Sequence, residues 1–180
     1  RFGVYGEVLW RCANGIDESP VDPHSLERVK SIGQQVTLPR DYYRLAEIKV
    51  VILELAEKVA ERTRGGGYAG RTVVLSLKDA NFAYLSRMKT LPAYTDLAAD
   101  VYRAAVELLE RHWPEGWPVR TVGVALAGLT AGPPRQLTFF EGREKWERAE
   151  RACDYIRSRF GEKAIFRAAS LTGAGVRYAG

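Results

Sequence analysis

The amino-acid sequence predicts an α+β fold, a four-stranded sheet that carries two helices on one of its faces. Three segments have an apolar residue at every second position, the period of a strand with one buried face, and a turn joins one of them to a fourth strand. Two longer segments have apolar residues three or four positions apart, the period of a helix. Their order, β-α-β-β-α-β, is the split arrangement in which both helices cover the same face. We also expect a short helix before this unit and a helical tail after it.

Length and composition are those of a protein with a buried core. The 180 residues are 46% hydrophobic and 27% charged, enough for one domain with appendages. Lysine and arginine number 27 against 22 acidic residues, and the net charge of +5 is compatible with a polyanionic partner. No apolar run approaches the roughly 18 residues that span a bilayer. Cys12 and Cys153 are far apart and offer no disulfide framework, so a reducing, cytoplasmic location is expected.

The first residues lie inside an apolar periodic segment. Val4, Leu9 and Trp10 form one side of a short helix that ends near Gly15. The following segment, ESPVDPHSLERV, is rich in proline and acid, which predicts a linker. Because Arg1 is not a methionine and already lies in a helical pattern, we expect the chain to be the C-terminal part of a longer protein.

The first half of the predicted domain is a strand followed by a helix. KSIGQQVTLP places Ile32, Val36 and Leu38 on one side of a strand. Asp41 then stands where a helix N-cap is expected, at the start of DYYRLAEIKVVILELAEKVAERTR, whose apolar residues have helical spacing. The glycine-rich run GGGYAG ends this helix.

The second half contains a hairpin, a helix and a last strand. RTVVLSLKD alternates, and the turn DAN joins it to FAYLSRMKTLP. A second helix runs from about residue 95 to about residue 113, where WPEGWP ends it. VRTVGVALAG is the last strand. The inward residues of the two alternating strands are Val73, Leu75, Leu77, Val122, Val124 and Leu126.

The tail segment REKWERAERACDYIRSRFG predicts a further helix. Gly161 is a suitable residue to end it. The apolar stripe of this helix is narrow and consists of Trp146, Ala149, Cys153, Ile156 and Phe160.

Residues that could carry catalysis are few and scattered. His24 and His112 are isolated, and no metal-binding spacing of cysteine or histidine occurs. Asp96 and Asp100 stand one helical turn apart, but acids also suit the first turn of a helix. RGGGYAGRT lacks the G-K-[ST] ending of a phosphate-binding loop. We therefore expect no catalytic residue, metal site or cofactor in this chain.

The outward face of the predicted sheet consists of small hydroxyl residues and glycines. Such a surface lets hydroxyls and backbone N–H groups approach phosphates, while flanking lysines and arginines attract a polyanion at long range. This predicts binding to a nucleic-acid backbone with little sequence preference, and an ordinary solvated sheet face is the alternative. The outward residues are Ser31, Gly33, Gln35, Thr37, Thr72, Ser76, Ser86, Thr90, Thr121 and Gly123, flanked by Lys30, Arg71, Lys78, Arg87, Lys89 and Arg120.

Several segments, in their order, resemble the C-terminal portion of bacterial Y-family translesion DNA polymerases of the polymerase IV or V type. These segments are ANGIDESPV, RVKSIGQQVTLPRD, SRMKTLP, VRTVGVALAG and RQLTFF. The resemblance implies that residues 1–26 are the end of the thumb and a linker and that residues 27–130 are the DNA-binding little-finger domain. It further implies a clamp-binding linear motif at residues 131–141 and a helical tail at residues 142–180.

The resemblance also implies that the little finger grips the backbones of primer and template during lesion bypass and DNA repair. The family often has basic residues where Thr121 and Ala125 stand, so the grip at this strand is expected to be weaker. The carboxylates and Mg²⁺ of nucleotidyl transfer are expected in the parent polymerase, and the fragment itself is expected to be monomeric. The implied DNA-binding residues are Lys30, Ser31, Gly33, Ser86, Arg87, Lys89, Thr90, Arg120 and Thr121.

The stretch QLTFF resembles the motif by which bacterial polymerases dock on the sliding clamp. The resemblance implies that Gln136 makes hydrogen bonds while Leu137, Phe139 and Phe140 enter an apolar pocket of the clamp. The preceding Gly-Pro-Pro would hold this peptide away from the domain and limit the entropy lost on binding. From these residues alone, a strand packed against the following helix is the alternative.

A non-catalytic ferredoxin-like adaptor that binds protein or single-stranded RNA is a second hypothesis for the whole chain. An RNA-recognition module presents paired aromatic residues on its central strands for base stacking. The outward residues of KSIGQQVTL and VRTVGVALAG include no aromatic residue, which counts against RNA, although Phe82 and Tyr84 leave some room for it.

Overall fold

The computed structural model describes residues 3–21, 23, 29–132 and 143–176, and it contains one antiparallel sheet with four main strands. Their order across the sheet is β1-β4-β2-β3, and a two-residue strand, β5, pairs with the start of β2. The α+β fold and the order of its elements are as predicted. The strands are β1 (Ser31–Tyr42), β2 (Tyr68–Lys78), β3 (Tyr84–Thr95), β4 (Val119–Ala127) and β5 (Thr130–Ala131).

Two helices form a layer on one face of the sheet, as predicted. The helices are α1 (Gly3–Ala13), α2 (Leu45–Gly65), α3 (Ala98–His112) and α4 (Arg143–Phe160), followed by a 3-10 helix (Ala168–Leu171). Helices α2 and α3 make up the layer, and α1 buries none of its residues against the rest of the described chain. Within the described ranges, no helix combines the length and the apolar character needed to cross a membrane.

The core lies between the sheet and this helix layer. The inward residues of β2 and β4 are the ones that alternation predicted, and all are almost completely buried. Helix α2 contributes Ile48, Ile52 and Val59, and α3 contributes Val101 and Ala105. Burying a Val, Leu or Ile side chain contributes about 1.5–3 kcal/mol relative to leaving it in water. The sheet face that touches the helices therefore determines the register of all four main strands.

The predicted N-cap at Asp41 is wrong, because β1 continues through this residue to Tyr42. Helix α2 begins only at Leu45, and Arg44 at its N-cap makes no side-chain capping hydrogen bond. Tyr42 is fully buried, and its hydroxyl donates to the Ala174 carbonyl oxygen at 3.1 Å. Burial of Tyr42 thus extends the strand past the point at which local capping preference would have ended it.

The third strand is shifted toward the C-terminus relative to the prediction. It was expected over residues 82–92, but β3 begins at Tyr84, crosses Pro92 and ends at Thr95. An edge strand tolerates proline because one side of its backbone needs no ladder partner. Helix α3 consequently begins at Ala98 rather than near residue 95.

Helix α4 packs on the domain through charged residues, although its sequence shows an apolar stripe. Glu150 and Arg157 are buried, whereas Trp146 and Phe160 of the stripe are 54% and 69% exposed. The helix is where the sequence predicted it. Its amphipathic pattern, however, did not indicate which side of it contacts the domain.

Arg64 at the end of α2 forms the main contact with α4. Its guanidinium donates to both oxygens of Asp154, at 2.7 and 3.0 Å, and to Glu150. The Glu150 carboxylate also accepts a hydrogen bond from the backbone N–H of Ala98 at 3.0 Å, so α4 caps the start of α3. Burial raises the pKa of Glu150 against these opposing contacts. Burial works to lower the pKa of Arg64, but the hydrogen bond with Asp154 and the charges of Asp154, Glu150 and Asp96 together outweigh burial and raise that pKa.

A second group of ion pairs holds the residues after α4. The buried carboxylate of Glu57 accepts from Arg157 at 3.2 Å and from Arg167 at 2.6 Å. The Val176 backbone N–H donates to Glu54 at 3.0 Å. The C-terminal segment therefore covers acidic residues of α2 that would otherwise face solvent.

Replacing Arg64 with methionine should destabilise the chain by about 3 kcal/mol, because it leaves the buried Glu150 and the half-buried Asp154 without their cation. Chemical denaturation would measure this loss, and hydrogen exchange should become faster in α4 before it does in the sheet. Arg103→Met is the matched control, since the side chain of Arg103 is 77% exposed and its pair with Asp100 should contribute little. Equal stability of the two variants would contradict the role given to Arg64.

Candidate nucleic-acid interface

The face of the sheet away from α2 and α3, which we name the open face, is built from every second residue of the four main strands. The pairing register arranges these residues in four rows across β1, β4, β2 and β3. Members of a row are neighbours on the same face. The rows are Ser31–Ala127–Thr72–Thr90, Gly33–Ala125–Val74–Met88, Gln35–Gly123–Ser76–Ser86 and Thr37–Thr121–Lys78–Tyr84.

Two glycines keep the middle of the open face free of protruding side chains. A Cβ atom on Gly33 would lie 2.9 Å from the Ala125 Cβ, and one on Gly123 would lie 2.4 Å from the Ser76 Oγ. Ser76 and Gln35 already approach Gly123 closely, and Gly123 is itself buried. The centre of the open face therefore presents mostly small side chains, polar in the row of Ser76 and apolar in the row of Ala125 and Val74.

The charge of the open face is positive. None of the residues in the four rows is acidic, and Lys78 lies in the row nearest the β2–β3 turn. Lys30 is exposed directly before the first row, and Arg71, also exposed, lies over the Tyr94 ring at 5.5 Å. Cations at both ends of a surface without acids attract a polyanion.

The structure places five of the predicted DNA-binding residues on this face. Ser31, Gly33 and Thr90 are exposed and Ser86 is half-buried. Thr121 is only 5% exposed, between Thr37 and Lys78 in its row, so its side chain supports the surface more than it forms it.

Three of the other predicted DNA-binding residues lie away from the centre of the open face. Arg120 is at the start of β4, where its Nη1 lies 3.6 Å from the Asp41 Oδ1. Arg87 and Lys89 pair with Leu75 and Val73, whose side chains point toward the helices.

The positions of Arg87 and Lys89 follow from alternation in β3. Because Ser86 and Thr90 occupy the open face, the residues between them at odd positions belong to the opposite side. Lys89 is paired there with Glu107 of α3, and its hydrogen bond holds the pKa of Glu107 below the ordinary value. The register thus separates these two cations from the remaining predicted contacts.

Met88 and Tyr84 are absent from the outward set that the sequence predicts. Both are on the open face and are 69% and 65% exposed. The same alternation from Ser86 would have found them. The open face therefore has small side chains, polar and apolar, in its middle and carries large side chains along β3.

The predicted clamp-binding residues, Gln136, Leu137, Phe139 and Phe140, lie outside the described residues. The chain before them is attached to the domain, since the Gly132 N–H donates to the Gly67 carbonyl oxygen at 3.1 Å. The chain after them enters α4, which Arg64 holds through Asp154. Both attachment points are thus at the C-terminal end of α2.

Residues 29–139 match the family model described as the impB/mucB/samB family C-terminal domain. This match covers α2, α3 and all four main strands, and so includes every residue in the four rows of the open face. The family is therefore defined by the same part of the chain that forms the sheet and its helix layer.

Relatives with known names agree with this match. DNA polymerase IV of Moorella thermoacetica is 61% identical over 100% of this chain and 45% of that protein. DNA polymerase IV of Pelotomaculum thermopropionicum is 58% identical over 98% of this chain and 44% of that protein. The putative UV-damage repair protein UvrX of Bacillus subtilis is 37% identical over 97% of this chain and 43% of that protein. The chain spans less than half the length of these relatives.

Among solved structures, the post-insertion binary complex of Dbh DNA polymerase aligns with 71% of this chain and 36% of that chain, at 18% identity and a TM-score of 0.48. The assignment rests on the family model and the named relatives. The chain belongs to the impB/mucB/samB C-terminal domain family and is a C-terminal part of a Y-family DNA polymerase.

Proposed function

We propose that this chain binds primer–template DNA through its sugar-phosphate backbone, with little sequence preference, within a DNA polymerase that bypasses lesions and acts in DNA repair. One observation carries the proposal: in a member of this family, the open face combines short polar side chains with cations and has no acid in its four rows. Contacts to phosphates position a protein on DNA without reading the bases.

The exposed residues fall into two groups, those that can contact phosphates and those whose positive charge attracts DNA. Ser31, Gly33 and Thr90, with the half-buried Ser86, can bring hydroxyl and backbone groups to phosphates. The cations beside or on the open face, Lys30 and Lys78, supply charge that releases counterions from DNA. Arg120, which lies beside Asp41 at the start of β4, adds positive charge at longer range. Arg87 and Lys89 stand behind β3, so we assign them long-range attraction rather than direct contact.

Polymerisation is proposed to belong to the rest of a longer polymerase, working in the cytoplasm with Mg²⁺. Within the described ranges, no three His, Cys, Asp or Glu side chains come together in a way that could hold a metal ion. The described residues therefore supply no ligand set for the Mg²⁺ of nucleotidyl transfer, and we assign them no step in that chemistry. By itself the chain is proposed to be a monomer.

We further propose that residues 136–140 dock on the sliding clamp. Gln136 would make hydrogen bonds, and Leu137, Phe139 and Phe140 would fill an apolar pocket of the clamp. The attachment of Gly132 and of α4 at the C-terminal end of α2 supports this arrangement, because neither attachment uses a residue of the four rows of the open face.

Replacing Lys78 with alanine should weaken binding to duplex DNA to a similar degree for unrelated sequences. The slope of log K against log salt should become shallower by about one, because one phosphate contact is lost. Fluorescence anisotropy over a series of salt concentrations, with two duplexes of different sequence, measures both quantities.

Lys49→Ala is the matched control for this experiment, since it removes the same charge from the helix layer, where Lys49 pairs with Glu110. An equal change of slope in both variants would show that net charge, and not the open face, drives binding. Duplex binding that does not respond to salt would contradict the proposed backbone contacts.

Combined replacement of Gln136 and Phe140 with alanine should abolish binding to purified sliding clamp while leaving DNA affinity unchanged. The loss is expected because the double variant removes both the hydrogen-bonding residue and an apolar anchor of the peptide. Thr138→Ala, within the same peptide, is the control and should retain the clamp in a pull-down. Retention of the clamp by the double variant would reject the docking proposal.

A further inference from the structure

The end of the open face next to the β2–β3 turn carries exposed aromatic side chains. Phe82 is 76% exposed and Tyr84 is 65% exposed. Tyr84 lies directly opposite Lys78 in the register, and the Lys78 Nζ lies 5.2 Å from the centre of the Phe82 ring. We call Lys78, Phe82 and Tyr84 the hairpin-tip cluster. It joins a cation to two aromatic rings at the edge of the open face.

The turn that carries Phe82 is held by a buried carboxylate. The Asp79 Oδ1 accepts hydrogen bonds from the backbone N–H groups of Asn81, at 2.9 Å, and Ala83, at 2.8 Å. Its Oδ2 accepts from the indole N–H of Trp117 at 3.2 Å, which ties the turn to the segment before β4. Asp79 is 7% exposed. The hydrogen bonds of this carboxylate are thus made within the turn and to Trp117. They fix the backbone of the turn that carries Phe82.

Phe82 occupies a backbone conformation that does not suit it. Its φ of +68° is the one positive value at a non-glycine residue within the part of the chain that the structure describes. A left-handed conformation favours glycine or asparagine, and a bulky residue there is strained. Burial of the ring could compensate for this strain, but the ring is mostly in water. The contact with Lys78 contributes only a small stabilisation at an exposed site. The stability of the described chain therefore gives little reason for a phenylalanine at this position.

We infer that the hairpin-tip cluster binds unpaired bases of single-stranded DNA that continues from the duplex on the open face. This inference rests on the proposed function and assigns a second kind of DNA to the same face. Surfaces that bind single strands combine cations along the backbone path with aromatic side chains on which bases stack. The row that contains Lys78 and Tyr84 provides this combination, with Thr37 and Thr121 as its other members and no acid among them.

Single-stranded DNA fits the cluster better than duplex DNA does. Bases within a duplex are already stacked on each other, so their flat faces cannot reach Phe82 or Tyr84, whereas unpaired bases expose theirs. Lys78 neighbours both residues, with its Nζ over the Phe82 ring and its backbone opposite Tyr84, so it can supply the cation that the phosphate between two stacked nucleotides requires. Stacking does not read hydrogen-bonding edges, so the contact should tolerate any base.

Three fluorescent DNAs that share one duplex test this inference on the 180-residue chain. The first is blunt, the second has a 5′ overhang of about six thymidines, and the third has an overhang of equal length made of abasic units. The abasic overhang keeps the phosphates but removes the bases. We expect the thymidine overhang to bind about tenfold more tightly than the abasic one, the size of effect that stacking one or two bases produces.

Variants at the cluster distinguish the effect of losing an aromatic ring from the effects of backbone strain and of misfolding. Phe82→Asn removes the ring and suits the left-handed backbone, so the chain should stay folded while the preference for thymidine falls severalfold. Combining it with Tyr84→Ala should abolish the preference, and Phe82→Tyr, which keeps an aromatic ring, should retain it. Phe160→Ala is the control, because it removes an equally exposed phenylalanine from α4.

Each possible result of this experiment supports the inference, contradicts it, or rejects the proposed function. Loss of the thymidine preference in the double variant, measured as the ratio of its affinities for the thymidine and abasic overhangs, supports the inference. Equal binding of thymidine and abasic overhangs, or a preference that survives in the double variant, overturns it while leaving the duplex grip intact. Weaker binding of the blunt duplex by Phe82→Asn also overturns it, since the ring would then contact paired DNA or stabilise the fold. Failure of the unmodified chain to bind any of the three DNAs rejects the proposed function itself.

Discussion

Burial of one side of the sheet is the constraint on which the rest of the structure depends. Val73, Leu75 and Leu77 of β2 lie in an interior strand of the sheet beneath α2 and α3, so alternation sends the residues between them to the opposite face. A slip of one residue would bury Lys78 and expose these apolar side chains, and the register is therefore strongly determined. The open face acquires its composition as a consequence of how the core is filled.

The outer side of the helix layer is completed by ion pairs rather than by apolar packing. Arg64 joins α2 to α4, and Glu150 reaches from α4 to the first N–H group of α3. Buried ion pairs return little net stability because both partners lose their hydration, but their geometry is directional. This explains how α4 takes a defined position while Trp146 and Phe160 remain exposed.

The open face is not uniform, and the differences follow the strands. Along β1 and β4 glycine, alanine and small polar residues keep it low, whereas β3 adds Met88 and Tyr84. The turn beyond them holds Phe82 in a strained conformation through the buried Asp79 carboxylate. A surface of this kind combines a level region suited to a regular backbone with an aromatic edge suited to irregular, unstacked nucleotides.

Alternation and helical spacing, which are local properties of the sequence, determined the fold class, the inward residues of β2 and β4, and the position of α4. The same alternation also determines on which side of β3 Arg87 and Lys89 lie. The predicted helix cap at Asp41 was wrong because β1 continues to Tyr42. The burial of Tyr42 that lengthens this strand depends on residues distant in the chain, such as Ala174. The cap of α3 by Glu150 likewise joins residues 52 positions apart. Only the tertiary structure decided these features, because local preferences amount to a fraction of the free energy that long-range burial and ion pairing supply.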